Sequence, residues 1–156
     1  NDRVHEVAVA RFHWVRASLL AAAGAAVGFI ALFVPFGRLE DGSSASVIGY
    51  GSYGFTGNAL EPIVAIAAAL VVAYALGREG GRRPLAAGVA LALGAQTALY
   101  YGSWVGGIVD EYYLKPELGW GCVIGFAAAG LLLAAGLVGR RSLAEHAERS
   151  DAVVAG

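Results

Sequence analysis

The stretch that decides the fold is LGWGCVIGFAAAGLLLAAGLVGRR, residues 118–141. Its first twenty-two residues, 118–139, carry no charged side chain, and two arginines follow them directly. A transmembrane helix needs about 20 mostly apolar residues to cross roughly 30 Å of hydrocarbon. A single such stretch could also form the buried helix of a soluble protein, so the rest of the chain has to decide between the two.

Three further stretches of the same kind precede it, at residues 17–37, 59–77 and 84–109, and their only charged residue is Glu61, near the start of the second. Four such stretches among 156 residues leave no polar faces with which to enclose a soluble core. The composition agrees, because 58% of residues are hydrophobic and 15% charged, whereas soluble domains are nearer one half and one quarter. We therefore predict an all-α membrane protein whose residues 17–139 form a four-helix transmembrane bundle.

The segments between and beyond the spans predict the orientation. Nine basic residues fall in residues 1–16, the 78–83 loop and the tail 140–156, whereas the other two loops hold only Arg38 and Lys115. Lys and Arg accumulate on the cytoplasmic side of membrane proteins, which predicts a plasma-membrane protein with both termini in the cytoplasm. On a helical wheel, most apolar residues of the segment 1–16 share one arc and the charged residues mostly hold the other side, as in an amphipathic helix on the membrane surface.

The first outer loop contains Gly49-Tyr50-Gly51, the tripeptide of potassium-channel selectivity filters. Only twelve residues, GRLEDGSSASVI, separate it from Phe36 at the end of the first span, and they are too polar for a membrane-buried pore helix. A hairpin turning at Gly51-Ser52 fits better, because glycine in the first turn position suits a type II′ turn. We predict a short glycine- and tyrosine-rich hairpin, with no filter.

The outer loops hold more aromatic side chains than a membrane belt needs. The hairpin would place four large side chains on one face, and residues 100–120, from the end of the third span to the start of the fourth, add five more. We predict that this surface contacts a partner protein or lipid; its residues are Ile48, Tyr50, Tyr53, Phe55, Tyr100, Trp104, Tyr112, Tyr113 and Trp120.

Polar residues at membrane depth are few. Gln96 and Thr97 lie within the third span, where an interhelical hydrogen bond is the expected role, and Glu61 is expected to cap the second helix. A path for a transported species past these three residues is the alternative. Glycine pairs at four-residue spacing, such as Gly121 and Gly125, predict close helix packing.

No catalytic, metal-binding or cofactor-binding pattern is present. Carboxylate pairs, histidine clusters and nucleophile–base pairs are missing from the spans. Cys122 is the single cysteine, so an internal disulfide is impossible and a thiol oxidase working through cysteine pairs is excluded. A net charge of −1 offers no basic field for nucleic acid. The sequence therefore predicts a protein without enzymatic activity or cofactor.

The four spans, the longer first outer loop and the final span LGWGCVIGFAAAGLLLAAGLV together resemble small tetraspan membrane proteins of actinobacteria. The layout is also loosely similar to that of claudins, although residues 37–58 lack the tryptophan and cysteines of the claudin loop. The resemblance implies a small multi-pass protein and no particular site residue. We expect an accessory subunit that stabilises or assembles a larger membrane complex, or alternatively a small oligomeric channel or transporter component.

The predicted orientation can be tested by cysteine labelling with a membrane-impermeant reagent on intact cells. A cysteine placed at position 43 should react from outside, whereas one at position 80 should react only after the membrane is opened. Labelling of the unchanged chain, which contains only Cys122, gives the background. The opposite pattern would overturn the orientation.

Overall fold

The structure is a computed structural model. It describes the backbone of residues 2–39, 44–48, 60–78, 80–110, 114–115 and 119–154, and the side chains within 12–37, 44, 46–48, 60–78, 80–105 and 119–144. The predicted hairpin turn, with Tyr50, Tyr53 and Phe55, lies outside these ranges, as do Tyr112 and Tyr113.

Four long helices make up almost all of the described chain. They are α1 (Asp2–Ala31), α2 (Leu60–Gly77), α3 (Arg83–Asp110) and α4 (Trp120–Val154). Each contains a segment long and apolar enough to cross a membrane, and these segments are Phe12–Ala31, Leu60–Gly77, Arg83–Val105 and Trp120–Ala144. The predicted helical architecture, with four helices long and apolar enough to span a membrane, is thus confirmed, and it is consistent with a multi-pass membrane protein.

The first helix ends earlier than the hydropathy predicts. It stops at Ala31, six residues before Gly37, and its last turn tightens through bonds from Leu32 N–H to the Phe29 carbonyl and from Phe33 N–H to the Ile30 carbonyl. Pro35 disfavours a helical conformation in the residue before it. The apolar residues after Ala31 instead turn back onto the bundle, where Leu32 and Phe36 are fully buried.

The fourth helix continues where we expected a tail to begin. It passes through Arg140 and Arg141 without interruption and ends at Val154. Ser142, which follows the two arginines, is buried. Likewise, α1 runs without a break across the predicted boundary at residue 16.

The helices run alternately up and down around a ring. Helix α4 packs extensively against both α1 and α3, whereas α2 packs mainly on α1 and only lightly on α3. A hydrogen bond from Ser18 Oγ to the Ala73 carbonyl oxygen, 2.7 Å long, fixes α2 against α1. The contact between α2 and α3 is therefore the most open side of the bundle.

Small side chains fill the centre of the bundle. The main core cluster draws on all four helices and consists mostly of alanine; examples are Ala17, Ala21, Ala25, Ala73, Ala87, Ala90 and Ala135. Small residues let helix backbones approach closely, which is the main source of helix association in a bilayer. The core is accordingly held by close backbone packing, with few large side chains.

A three-stranded antiparallel sheet joins the two loops at one end of the bundle, which we call the loop end. Its strands are β1 (Gly37–Leu39), β2 (Ser44–Ala45) and β3 (Leu114–Lys115), in the order β2-β1-β3. Residue Arg38 is the register partner of both Ser44 and Lys115. The sheet ties the α1–α2 connection to the α3–α4 connection, a link that the sequence did not predict.

The start of α4 is also bound to the end of the α1 turn. The Gly119 N–H donates to the Phe36 carbonyl and the Gly121 N–H to the Pro35 carbonyl, each at 2.8 Å. A side chain at either glycine would collide with the Pro35 backbone. These glycines are required here because two backbones touch.

Replacing Gly121 with alanine should therefore destabilise the bundle by about 1–3 kcal/mol, the usual cost of overpacking. The new methyl group would press on the carbonyl oxygens of Val34 and Pro35, which are backbone atoms that cannot rotate away. Gly130→Ala on the same helix is the matched control, because nothing lies within 4 Å of the added atom. Unfolding by denaturant in detergent measures both. Equal stability of the two variants would contradict this account of the contact.

Candidate functional site

A polar pair lies at the open side of the bundle. Glu61 is the second residue of α2, and Gln96 lies halfway along α3. Gln96 Nε2 donates a hydrogen bond of 3.0 Å to Glu61 Oε1. The structure thus brings together two of the three polar residues that the sequence singled out, and the bond crosses between helices.

The depth of this pair follows from helix geometry. Gln96 is thirteen residues from the start of α3 at Arg83, and Glu61 is sixteen residues from the end of α2 at Gly77. At 1.5 Å per residue, the two lie about 20 and 24 Å from that end of the bundle. A hydrocarbon layer of roughly 30 Å that began at that end would extend past both residues, which lie nearer to the loop end.

Both side chains are exposed on the outside of the isolated bundle. An ionised carboxylate accepts hydrogen bonds at two oxygens, and the described structure gives Glu61 a single hydrogen-bonding partner, Gln96. Polar groups left unsatisfied in hydrocarbon cost several kcal/mol. Glu61 can therefore accept a further hydrogen bond, either from residues 49–59, which are outside the described ranges, or from a donor beyond the bundle.

Thr97 plays a different part from its neighbour. Its Oγ1 donates to the Leu93 carbonyl oxygen of the preceding turn at 2.8 Å, so its hydroxyl is satisfied within α3. Its side chain lines the cleft between α2 and α3. The expected interhelical bond is made by Gln96 alone.

The cleft behind the polar pair consists of two adjoining small hollows. The outer one is lined by Glu61 and Gln96, and the inner one lies among all four helices. Both are lined by Thr97 and Tyr101, and the inner walls are otherwise glycine, alanine and other apolar side chains. The arrangement is an apolar cleft with a carboxylate at its mouth.

The predicted aromatic surface is only partly available to a partner. Ile48, Tyr100 and Trp104 pack against a second core cluster near the loop end. Trp104 meets the ring of Phe36 with centroids 4.6 Å apart. Trp120, by contrast, is 74% exposed. Of the four residues on this surface whose side chains are described, three serve the protein's own packing to some degree.

Two aromatic residues that hydropathy placed at the membrane interface are internal. Phe36 and Tyr101 are among the largest fully buried side chains. The Tyr101 ring occupies the space that a side chain at Gly125 would need. The sequence showed Gly125 as one of a spaced glycine pair, but it did not show that the Tyr101 ring packs against it.

We call the opposite end of the bundle the arginine end. Its arginines, which the sequence analysis used only to predict orientation, contact aromatic rings. The Arg83 guanidinium lies over the Trp14 ring, and the Arg78 guanidinium lies over the Tyr74 ring. Arg78 directly follows the last residue of α2 and is four residues from Tyr74, a spacing that could have revealed the second contact.

Within the described residues, no group of three His, Cys, Asp or Glu side chains lies close enough to hold a metal ion. Cys122 is buried, with Sγ 3.8 Å from the Phe36 carbonyl oxygen. Comparison with known proteins adds no relative, because no family model, curated protein or solved structure matches the chain.

The Glu61–Gln96 bond should contribute a coupling energy of about 0.6–1.7 kcal/mol, the range found for hydrogen bonds between membrane helices. A double-mutant cycle with Glu61→Ala and Gln96→Ala, read by reversible unfolding in detergent, measures it. Glu61→Gln is the control, since an amide oxygen still accepts the bond and should keep most of the coupling. A coupling energy of zero would show that the two side chains act independently.

Proposed function

We propose that this chain is a non-enzymatic accessory subunit of the cell membrane that packs against a larger integral membrane protein and stabilises or assembles its complex. The observation that carries the proposal is the Glu61–Gln96 pair, exposed on the outside of the bundle at membrane depth. The same proposal places both termini and the arginine end in the cytoplasm, as the distribution of basic residues favours.

The chemistry of the pair specifies the partner. Acyl chains offer no hydrogen-bond donor, and ionisable side chains inside membranes usually pair with one another or with backbone groups. A neighbouring transmembrane helix that presents a lysine, arginine, serine or asparagine would supply a further donor to Glu61. The partner surface is therefore a helix with one polar side chain about two thirds of the way across the membrane.

The looseness of the α2–α3 contact supports docking on this side. Neighbouring lipid-facing side chains are apolar and large; Val64 is 57% and Leu99 75% exposed. A helix laid along this side would bury them together with the polar pair. Trp120, exposed near the loop end, offers a second contact at headgroup level, where tryptophan combines an apolar ring with a polar N–H.

A small oligomeric channel or transporter component is the second candidate. The cavity among the four helices favours it, because that cavity adjoins the carboxylate and is lined by Thr97. The mostly apolar walls argue against a path for ions. A flux assay on the purified, reconstituted chain separates the two candidates, since an accessory subunit conducts nothing by itself.

Replacing both members of the polar pair, Glu61→Leu with Gln96→Leu, should reduce recovery of the partner complex more than tenfold. Hydrogen bonds to charged groups contribute about 1.5–3 kcal/mol, and 1.4 kcal/mol is a factor of ten. The protein's own level in the membrane should change little, because replacing both bonded partners by apolar groups is nearly neutral. Quantitative co-purification from native membranes measures both values.

Leu137→Ala is the matched control. Leu137 is 54% exposed on α4, the helix across the ring from α2, so its loss should leave complex recovery unchanged. Equal recovery for the double variant and the wild type would refute docking at the polar pair. Solute flux through the reconstituted chain, lost in the same double variant, would favour the transporter candidate instead.

A further inference from the structure

The arginine end of the bundle contains two guanidinium groups that are held in place by aromatic rings. The Arg83 guanidinium carbon lies 5.2 Å from the centre of the Trp14 ring, and that of Arg78 lies 5.2 Å from the centre of the Tyr74 ring. Arg78 Nη1 also donates to Tyr74 Oη. Trp14, Tyr74 and Arg83 belong to α1, α2 and α3, and Arg78 directly follows α2.

Arg83 has the more deeply buried aromatic platform of the two. Its Nε donates a hydrogen bond of 2.9 Å to the carbonyl oxygen of Arg78. Its aromatic platform is fixed as well, because Trp14 is only 5% exposed and packs near Gly139 and Ala87. The guanidinium is therefore oriented before any ligand arrives, which reduces the entropy lost on binding.

No described carboxylate pairs with either cation, and Glu79, which lies between them in the chain, is outside the described residues. The only carboxylate whose side chain is described, Glu61, lies at the other side of the membrane-spanning region. Once its Nε is bonded to a carbonyl, a guanidinium still has four N–H donors on its two terminal nitrogens. The bond from Arg83 Nε to the Arg78 carbonyl links the two residues, and the terminal N–H donors that remain on their guanidinium groups suit an anion that accepts several hydrogen bonds.

The surroundings point to a lipid as the source of that anion. The site lies where α2 ends and α3 begins, at the level where tryptophan and tyrosine mark the membrane interface. The adjoining surface is apolar and open, with Tyr74 62% and Leu85 70% exposed. A phosphate bound by the arginines would leave its acyl chains beside these side chains.

We propose that Arg78 and Arg83 bind the phosphodiester of an anionic phospholipid at the arginine end of the bundle. Arginine suits this ligand because its planar fork donates two parallel hydrogen bonds to phosphate oxygens. Anionic lipids are found on the cytoplasmic leaflet, where the distribution of basic residues places this end. The site is separate from the polar pair of α2 and α3, so it stands whether or not that pair docks a partner.

The test is a binding titration of the purified, delipidated full chain in detergent micelles containing phosphatidylglycerol or phosphatidylcholine. Native mass spectrometry counts the lipids retained. One phosphatidylglycerol should be retained at a concentration at which phosphatidylcholine is not. Soluble glycerophosphoglycerol, which has the same phosphodiester without acyl chains, should bind at least tenfold more weakly.

Variants separate an oriented site from general attraction. Arg83→Lys keeps the charge but loses the planar fork, so its affinity for phosphatidylglycerol should fall at least fivefold. Arg140→Lys is the matched control, because Arg140 is exposed on α4 and the structure gives it no aromatic platform; its affinity should stay unchanged. Arg78→Lys provides an independent variant should Arg83→Lys unfold, which the thermal transition in detergent would reveal.

Three results would overturn the proposal. Equal retention of phosphatidylglycerol and phosphatidylcholine by the unmodified chain would remove the anion requirement. If Arg83→Lys and Arg140→Lys bound phosphatidylglycerol equally tightly, the binding would reflect only general attraction to positive charge. Binding of glycerophosphoglycerol as tight as that of the lipid would identify a site for a free phosphate ester, without a role for the membrane.

Discussion

The close approach of α4 to α1 and α3 is the contact on which the rest of the structure depends. Lipid chains are as apolar as leucine, so helices in a membrane associate through close packing and hydrogen bonds. An added Cβ at Gly24 would lie 2.9 Å from Leu132 Cγ, and one at Gly94 would lie 2.8 Å from the Leu133 backbone nitrogen. At these points the neighbouring helices lie so close together that there is no room for one added methyl group.

This packing leaves α2 as the peripheral helix. With α1, α3 and α4 packed closely together, α2 is held mainly by α1, and Ser18 bonds to its Ala73 carbonyl. The gap that remains on the α3 side contains the cleft, and Gln96 reaches across it to Glu61. The polar pair is thus a consequence of the helix arrangement, placed where the bundle is least closed.

Hydropathy was sufficient to identify the four helices, because a run of about 20 uncharged, mostly apolar residues is typical of a membrane-spanning helix. It placed the end of α1 wrongly, since Leu32 and Phe36 are as apolar as the span before them but turn back into the core. Apolar content alone does not distinguish a residue that faces lipid from one that closes the end of a bundle. The short sheet was missed because its strands are two or three residues long and pair across distant loops.

The sequence predicted that the candidate site would contain an interhelical hydrogen bond, but it did not predict which residue would accept it. A glutamine in hydrocarbon needs an interhelical hydrogen bond, which the sequence indicated. Its partner could not be named, because Glu61 also fits a helix cap and the register of α2 against α3 depends on packing. The spaced glycines show the same limit: Gly125 accommodates the Tyr101 ring, whereas Gly102 has nothing within 4 Å.

Site-directed photo-crosslinking from Leu99 in native membranes tests docking at the polar pair most directly. Leu99 is 75% exposed and follows Gln96 by three residues on α3, so a photoreactive side chain there would meet whatever covers the polar pair. We expect a discrete adduct with a second membrane protein from this position, and lipid adducts from Leu137 on α4. Lipid adducts alone from both positions would contradict docking, because the polar pair would then face the bilayer without a protein partner.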